Sequence, residues 1–303
     1  MDVILLCEKD PQMSKDVLNI RPISGALGAE VYGINLDQSL NPTDVKNIRQ
    51  ALLNYLVIFF RDQSITPSQQ LEFAKHFGEL VEYPLVRGLD KFPEIVPVVK
   101  LPNETINFGG LWHSDTTYLE KPPMGGILVA RELPPYGGDT LFSNMYLAYE
   151  SLSKGMRNLL KGLTAVNSSA KARVTETRRD RVDASLKDSG YSELKAEHPV
   201  IRTHPETGRK ALYVNSAHTV RFKGMTEMES APLLNFLYNH QTRPEFTCCF
   251  RWHPGSIAFW DNRCTQHNPV NDYHGHKRVM HRISIAGDKP SYIFSPTPSS
   301  PTK

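Results

Sequence analysis

Two histidines and an aspartate, far apart in the chain, set the strongest condition on how it folds. His113-Ser114-Asp115 is followed after a long gap by His267, then by Arg278 eleven residues on (278 minus 267) and by Arg282. Two imidazoles and one carboxylate can cover one face of an octahedral ferrous ion and leave the other face open for a chelating co-substrate and O2. An Arg beyond the second His is what the far carboxylate of 2-oxoglutarate requires. The order of these residues is more specific than any one of them.

Residues i and i+2 of a strand point the same way, so an extended segment ending at Trp112-His113-Ser114-Asp115 lets His113 and Asp115 reach one ion, with Ser114 facing away. Alone, the triplet is weak, since in a chain with 11 histidines chance or a surface hydrogen bond explains most such cases. Alone, His267 reads as a hydrogen-bonded loop residue, and His274-Gly275-His276 is a competing pair in a turn. In Lys277-Arg278-Val279-Met280-His281-Arg282-Ile283-Ser284 the even positions share one strand face, so both guanidinium groups should enter one cavity. An unpaired buried charge costs several kcal/mol, so an anion should meet them. The alternatives are salt bridges to Asp or Glu, or a strand end open to water.

The rest of the pattern is of short β-type runs with a few helices. Helices are expected from Pro42-Thr43-Asp44 through Leu53, after a Thr66-Pro67-Ser68-Gln69 cap to Gly78, over Tyr146–Leu163 with a break near Ser153, and after a Thr226–Glu229 capping box. Pro232 fits that last helix only if it begins near Ser230. Strands are expected at Leu56–Phe60, Gly125–Ala130, Thr140–Phe142, Ala211–Asn215, Ser256–Trp260 and Arg282–Ala286, with a turn at Pro134–Asp139. This predicts an α+β, mainly β, antiparallel sandwich or jelly roll with inserted helices, not a doubly wound sheet, and no GxGxxG or Walker sequence is present. Residues 1–18 read as a flexible leader, 19–292 as one domain and 293–303 as a disordered Pro/Ser-rich tail.

Net charge is +3, and the densest basic stretch, Lys171–Arg181, is interleaved with Glu176 and Asp180, so a solvated loop is favoured over a nucleic-acid surface. No run approaches a membrane span, and Val3–Leu6 is too short for a signal sequence. Cys7, Cys248, Cys249 and Cys264 have no CxxC spacing, which suits reduced thiols and a cytoplasmic location.

Together, Phe77-Gly78-Glu79-Leu80, Trp112-His113-Ser114-Asp115-Thr116-Thr117, Gly137-Gly138-Asp139-Thr140, Arg202–Pro205 with Leu212-Tyr213-Val214-Asn215, Trp260-Asp261-Asn262-Arg263 with Thr265-Gln266-His267, and Met280-His281-Arg282 with Gly287–Pro290 resemble the TauD/TfdA family of Fe(II)- and 2-oxoglutarate-dependent dioxygenases over roughly residues 20–292. The resemblance implies a double-stranded β-helix core, iron on His113, Asp115 and His267, the distal carboxylate of 2-oxoglutarate on Thr140 and Arg278, and the anionic group of the prime substrate at Arg282. It also implies O2 consumption with release of succinate and CO2. Related halogenases have a small residue at the position of Asp115, so an oxygenase is implied.

Taurine-oxidising members have His where Tyr83 stands and Asn where Gly109 stands, while an aromatic persists at Tyr213. Tyr83 and Tyr213 are therefore substrate-pocket candidates, with packing under a loop the competing role for Tyr83. The substrate is expected to be a small anionic organic molecule: taurine, another sulfonate, an aryloxyalkanoate, another carboxylate or an amino acid. A homo-oligomer is left open. Two other classes compete: a zinc hydrolase using the same His/Asp/His set, and a non-catalytic scaffold whose tail recruits partners.

Overall fold

The computed structural model describes residues 18–172 and 193–293. The leader as far as residue 17, the basic stretch from Arg173 onward and the tail from residue 294 lie outside the described residues.

An eight-stranded sheet organises the chain. Its path runs β1 (Asn19–Pro22), β2 (Ala29–Tyr32), β3 (Val57–Phe60), β14 (Ile257–Asp261), β6 (Gly125–Glu132), β16 (Arg278–Ile285) and β4 (Leu80–Val81), with β5 (Val96–Lys100) also paired to β16. Every pair is antiparallel except β2 with β3, which is parallel and departs from the all-antiparallel expectation. The 24 residues between β2 and β3 (Gly33 to Leu56) contain a helix, the kind of crossover that a parallel pair needs.

The central strands are buried on both faces, which explains the unbroken apolar run Val57-Ile58-Phe59-Phe60. Ile58, Phe60, Ile257, Phe259, Ile127 and Val129 pack on one side against Ile48, Ala51 and Leu52 of α1 (Pro42–Tyr55) and Phe73 and Ala74 of α2 (Pro67–Lys75). Val57, Phe59, Ala258, Trp260 and Met280 face the other way, onto Phe142 of β7 (Thr140–Asn144) and Phe250 of β13 (Thr247–Phe250). β13, β7 and β15 (Thr265–Pro269) form a three-stranded sheet over that second face. Between the two sheets Phe59 stacks on Phe250 with ring centroids 3.8 Å apart.

Local chemistry sets the helix ends. Thr66 and Gln69 form a complete capping box on α2, which contributes about 1 kcal/mol, although the helix stops at Lys75, three residues before Gly78. Asn41 caps α1. Ser153 starts α4 (Lys154–Leu160), separating it from α3 (Met145–Glu150) near the expected break.

Three sequence expectations need correction. Thr226 and Glu229 start α5 (Glu227–Gln241) at Glu227 rather than near Ser230, with Pro232 inside the helix. Proline cannot donate to the Met228 carbonyl, but Met228 is exposed and water can replace the lost donor. β11 (Lys210–Leu212) ends before Tyr213. β16 begins at Arg278, four residues earlier than the expected Arg282 start, because it pairs with both β5 and β6 along its length. Among the described residues, no helix is long and apolar enough to cross a membrane.

Candidate active site

β16 buries its even positions Arg278, Met280 and Arg282, while Val279 and His281 are only partly buried. Met280 belongs to the apolar cluster between the two sheets, so the two arginines share the side that faces β15. A bulge shifts the register between Val279 and Met280 at the expense of β6, which leaves the alternation on β16 intact.

His113 is not in a strand. It makes an isolated antiparallel bridge with His267 of β15, with paired backbone hydrogen bonds of 3.1 and 2.8 Å. The imidazole centroids are then 4.2 Å apart. Asn262 holds the next turn: its Oδ1 accepts from the Asp115 amide at 2.6 Å, and its Nδ2 donates to the carbonyls of Asp115 and Pro123. This clamp does the work of the expected strand. Ser114 turns away and donates to the Thr265 carbonyl. Thr116 follows with φ +45°, a conformation that costs a β-branched residue about 1–3 kcal/mol.

The ligand atoms of His113, Asp115 and His267 all lie within 4.8 Å of one another, and all three residues are buried. Nδ1 of His113 is 2.6 Å from the Leu111 carbonyl, which places the proton there and leaves Nε2 a lone pair on the Asp115 side, 3.6 Å from Oδ1. Asp115 Oδ2 is buried with no hydrogen-bond partner. Burial opposes ionisation of Asp115, but the Arg282 guanidinium and then the His267 and His113 imidazoles more than offset it, so its carboxyl titrates below the usual range. Burial, with repulsion from His113, pushes His267 down to about 3. A neutral His267 imidazole and an ionised Asp115 carboxylate suit a divalent cation, and with Nε2 of His113 on the Asp115 side this donor set fits ferrous iron.

The two arginines share one side of β16 but meet different neighbours. Arg282 donates from Nη1 to Asp115 Oδ1 at 2.8 Å and lies under the rings of Tyr83 and Phe108, 4.8 and 5.9 Å from their centroids. It lines a cavity of about 280 Å³ together with Tyr83, Phe108, Leu111, Ala217 and His218, and with the ligands His113 and Asp115. Arg278 is enclosed further along β16, 5.7 Å from the Trp252 ring and 6.0 Å from the Tyr273 ring. Its Nε and Nη2 are buried without a hydrogen-bond partner. Trp252 donates to Thr140 Oγ1 at 2.9 Å, so Thr140 and Arg278 flank one indole. A desolvated guanidinium with two unused donors fits a carboxylate such as that of 2-oxoglutarate.

Tyr83 lines the cavity and its hydroxyl accepts from Tyr118. Tyr213 does not line it. Its ring lies buried against Arg202 and His198, 5.0 and 5.8 Å away. His274 and His276 sit in an exposed turn, where His276 meets Tyr136.

Sequence reasoning missed Asn262, Trp252, Asn107 and His218 as site-building residues. Asn262 was within reach, since it lies in Trp260-Asp261-Asn262-Arg263, immediately after an apolar strand. His204, Asp261 and Cys264 form a second buried group, but their polar atoms are used internally. Nδ1 of His204 accepts from the Glu206 and Thr207 amides, Nε2 faces Asp261, and Arg263 grips Asp261 with Nε and Nη2. Burial holds the Cys264 thiol protonated.

The family described as taurine catabolism dioxygenase TauD, TfdA matches residues 19–284. An α-ketoglutarate-dependent sulfate ester dioxygenase of Pseudomonas putida is 36% identical over 90% of this chain and 91% of its own length. An alkylsulfatase of Acinetobacter baylyi is 35% identical over 89% and 86%. The crystal structure of a taurine dioxygenase from Burkholderia xenovorans superposes with a TM-score of 0.75 at 37% identity, covering 90% of each chain. These relatives lend no support to a metal hydrolase that uses the same ligands, nor to a non-catalytic scaffold. The chain belongs to the TauD/TfdA family and is an α-ketoglutarate-dependent dioxygenase, with Fe(II), 2-oxoglutarate and O2 as its cofactor and co-substrates.

Proposed function

We propose that this dioxygenase oxidises an organosulfur anion, foremost an alkyl sulfate ester, at the carbon bearing the sulfate. The carrying observation is the cavity itself. Among its described lining residues Arg282 is the one permanent cation and Asp115 the one acid, and Tyr83, Ile106, Phe108, Leu111, Ala172 and Ala217 supply apolar or aromatic surface. An anionic head against Arg282 and a hydrocarbon tail along these walls suit that combination. The sulfate ester dioxygenase and alkylsulfatase relatives favour sulfate over carboxylate heads.

In this reading His113, Asp115 and His267 hold the iron, and Arg278 with Thr140 grips the distal carboxylate of 2-oxoglutarate. Arg282 and Tyr83 take the substrate head. The packing of the large sheet on the β13-β7-β15 sheet supports a double-stranded β-helix core. When bound, iron with 2-oxoglutarate and O2 supplies the oxidising power for C–H hydroxylation, releasing succinate and CO2. The protein contributes position and dryness. Asp115 and the two imidazoles hold the metal, Arg282 sets the substrate carbon by its anionic end, and the rings of Tyr83 and Phe108 exclude water from that ion pair. A hydroxyl on the ester carbon makes a hemiacetal sulfate, which expels sulfate to leave an aldehyde.

The test has two parts. Anaerobic addition of Fe(II) and 2-oxoglutarate should give a weak visible charge-transfer band that His113→Ala abolishes. A succinate-release screen over alkyl sulfates, alkane sulfonates, aryloxy acids and amino acids should then show sulfate and succinate formed one for one with an alkyl sulfate. Turnover confined to aryloxy acids or amino acids would overturn the substrate, and a silent spectrum of iron-loaded protein would overturn the site.

A further inference from the structure

Thr116 carries two costs that no hydrogen bond among the described residues offsets. Its φ of +45° is a conformation that a β-branched side chain resists, and its hydroxyl oxygen is buried with no hydrogen-bond partner. The Leu119 amide donates to the Thr116 carbonyl at 2.9 Å and closes the turn that holds this backbone in place. The hydroxyls on either side are in use. Ser114 donates to the Thr265 carbonyl, while Thr117 Oγ1 accepts from Asn215 Nδ2 at 3.0 Å and lies 3.1 Å from His218 Nδ1. Strained residues of this kind cluster where a side chain meets a ligand.

Thr116 lines the same cavity as Arg282, and Asp115 links them: it precedes Thr116 in the chain and accepts from Arg282 Nη1. The other two nitrogens of that guanidinium, Nε and Nη2, are buried and unpartnered. They form one edge of the group, a fork that matches two oxygens of a single anion. Asn107 and Tyr83, in the same wall, are already engaged. The Asn107 amide accepts from the Tyr273 hydroxyl and donates to the carbonyls of Pro269 and Val270, and the Tyr83 hydroxyl accepts from Tyr118. Among the described lining residues, the buried side-chain donors without a partner are therefore three: Arg282 Nε, Arg282 Nη2 and the Thr116 hydroxyl.

Donor number separates head groups. A carboxylate has two oxygens in one plane, and the Arg282 fork satisfies both. A sulfate ester or sulfonate is tetrahedral at sulfur and presents a third terminal oxygen out of the plane of that fork. We infer that the Thr116 hydroxyl donates to this third oxygen, which makes Thr116 a specificity-determining residue that selects a tetrahedral sulfur oxoanion over a planar carboxylate. The inference rests on the reading that Arg282 receives the substrate head, and it assigns the choice between the two head classes to one hydroxyl. A buried hydroxyl without a partner gains its hydrogen bond only when such an anion is bound.

The test uses full-length protein loaded with Mn(II) and saturating 2-oxoglutarate, so that no turnover occurs. Binding of hexyl sulfate, hexanesulfonate and heptanoate is then measured by calorimetry. Thr116→Val keeps the size, the branching and the backbone strain and removes only the hydroxyl. The ratio of hexyl sulfate affinity to heptanoate affinity should fall by roughly ten- to hundredfold, the worth of one hydrogen bond to a charged group. Hexanesulfonate should follow hexyl sulfate. Thr116→Ser restores the hydroxyl and should recover most of the ratio. Ligand-free Thr116→Val should unfold at the same or a higher temperature, since an unpartnered buried hydroxyl has given way to a methyl group. A ratio unchanged in Thr116→Val, whether both affinities fall together or neither moves, would overturn the inference. Wild-type protein that binds 2-oxoglutarate but neither sulfur anion would instead overturn the reading of the Arg282 cavity, and this inference with it.

Discussion

Arg282 and Asp115 form a buried ion pair, Nη1 to Oδ1 at 2.8 Å, in which the side chains retain only 6% and 2% of their exposure. One guanidinium therefore serves two partners: the carboxylate of the metal site and, in our reading, the substrate anion. Arg282→Ala should raise the substrate KM about 100-fold or more, as expected when one member of a buried charge pair is lost. Ferrous affinity should change only a few-fold, because the three ligands remain. Arg282→Lys should recover part of the loss, since an ammonium keeps the charge but not the planar fork. Steady-state kinetics beside an anaerobic Fe(II) titration separates the two effects.

Arg278 should answer to a different titrant. Its Nε and Nη2 are buried and unpartnered, so Arg278→Met removes a desolvated charge as well as a binding fork. The KM for 2-oxoglutarate should rise by about two orders of magnitude, at roughly 1.5–3 kcal/mol for a hydrogen bond to a charged group. Thermal stability of the ligand-free protein should hold or improve. A variant in which substrate KM rises while 2-oxoglutarate KM stays unchanged would count against the assignment.

Gly109 adopts φ +71°, and a Cβ there would lie 3.0 and 3.2 Å from His113 Cε1 and Nε2. Gly109→Ala should cost about 1 kcal/mol from the backbone alone and displace the His113 ring from its metal-binding pose. Iron occupancy measured after purification should fall well below that of wild type. Gly110→Ala is the control: its nearest neighbour is at an ordinary 3.4 Å and its φ is not positive, so occupancy should be unchanged.

His198 supplies a pH dependence away from the metal. Burial lowers its pKa from 6.5 to about 4, while its Nε2 contacts the Leu119 carbonyl. The unfolded chain takes up a proton near pH 6.5 that the native protein refuses until about pH 4. Stability should therefore fall as pH drops through that window, by roughly 3 kcal/mol at most, and level off below it. Denaturant unfolding between pH 7 and 4 should show a shallower decline for His198→Gln than for wild type.

The arginine pattern on β16 was legible because alternation along a strand is a local property, whereas the strand expected to carry His113 and Asp115 is replaced by a bridge to His267 and the Asn262 clamp. Even positions share a side whatever the rest of the chain does, and Arg278, Met280 and Arg282 obey that rule. The Thr66 and Thr226 capping boxes were legible for the same reason, since a cap closes within four residues. The site's support was not. Asn262 clamps Asp115 across 147 residues, Trp252 reaches Thr140 across 112, and Asn107 reaches Tyr273 across 166. Nothing in the local pattern around those residues marks them as partners. Tyr213 shows the opposite limit: it is an aromatic in the expected motif, but its ring lies against Arg202, a residue eleven positions earlier in the chain (213 minus 202).

The amino-acid order alone determined which groups could bind a metal and an anion, through residue types and strand period. Tertiary packing decided that Arg282 lines the cavity beside Asp115 while Arg278 lies enclosed near Trp252 and Tyr273. One strand face points both arginines to the same side, but their surroundings come from Trp252, Tyr273, Tyr83 and Phe108, which reach them from other strands and loops.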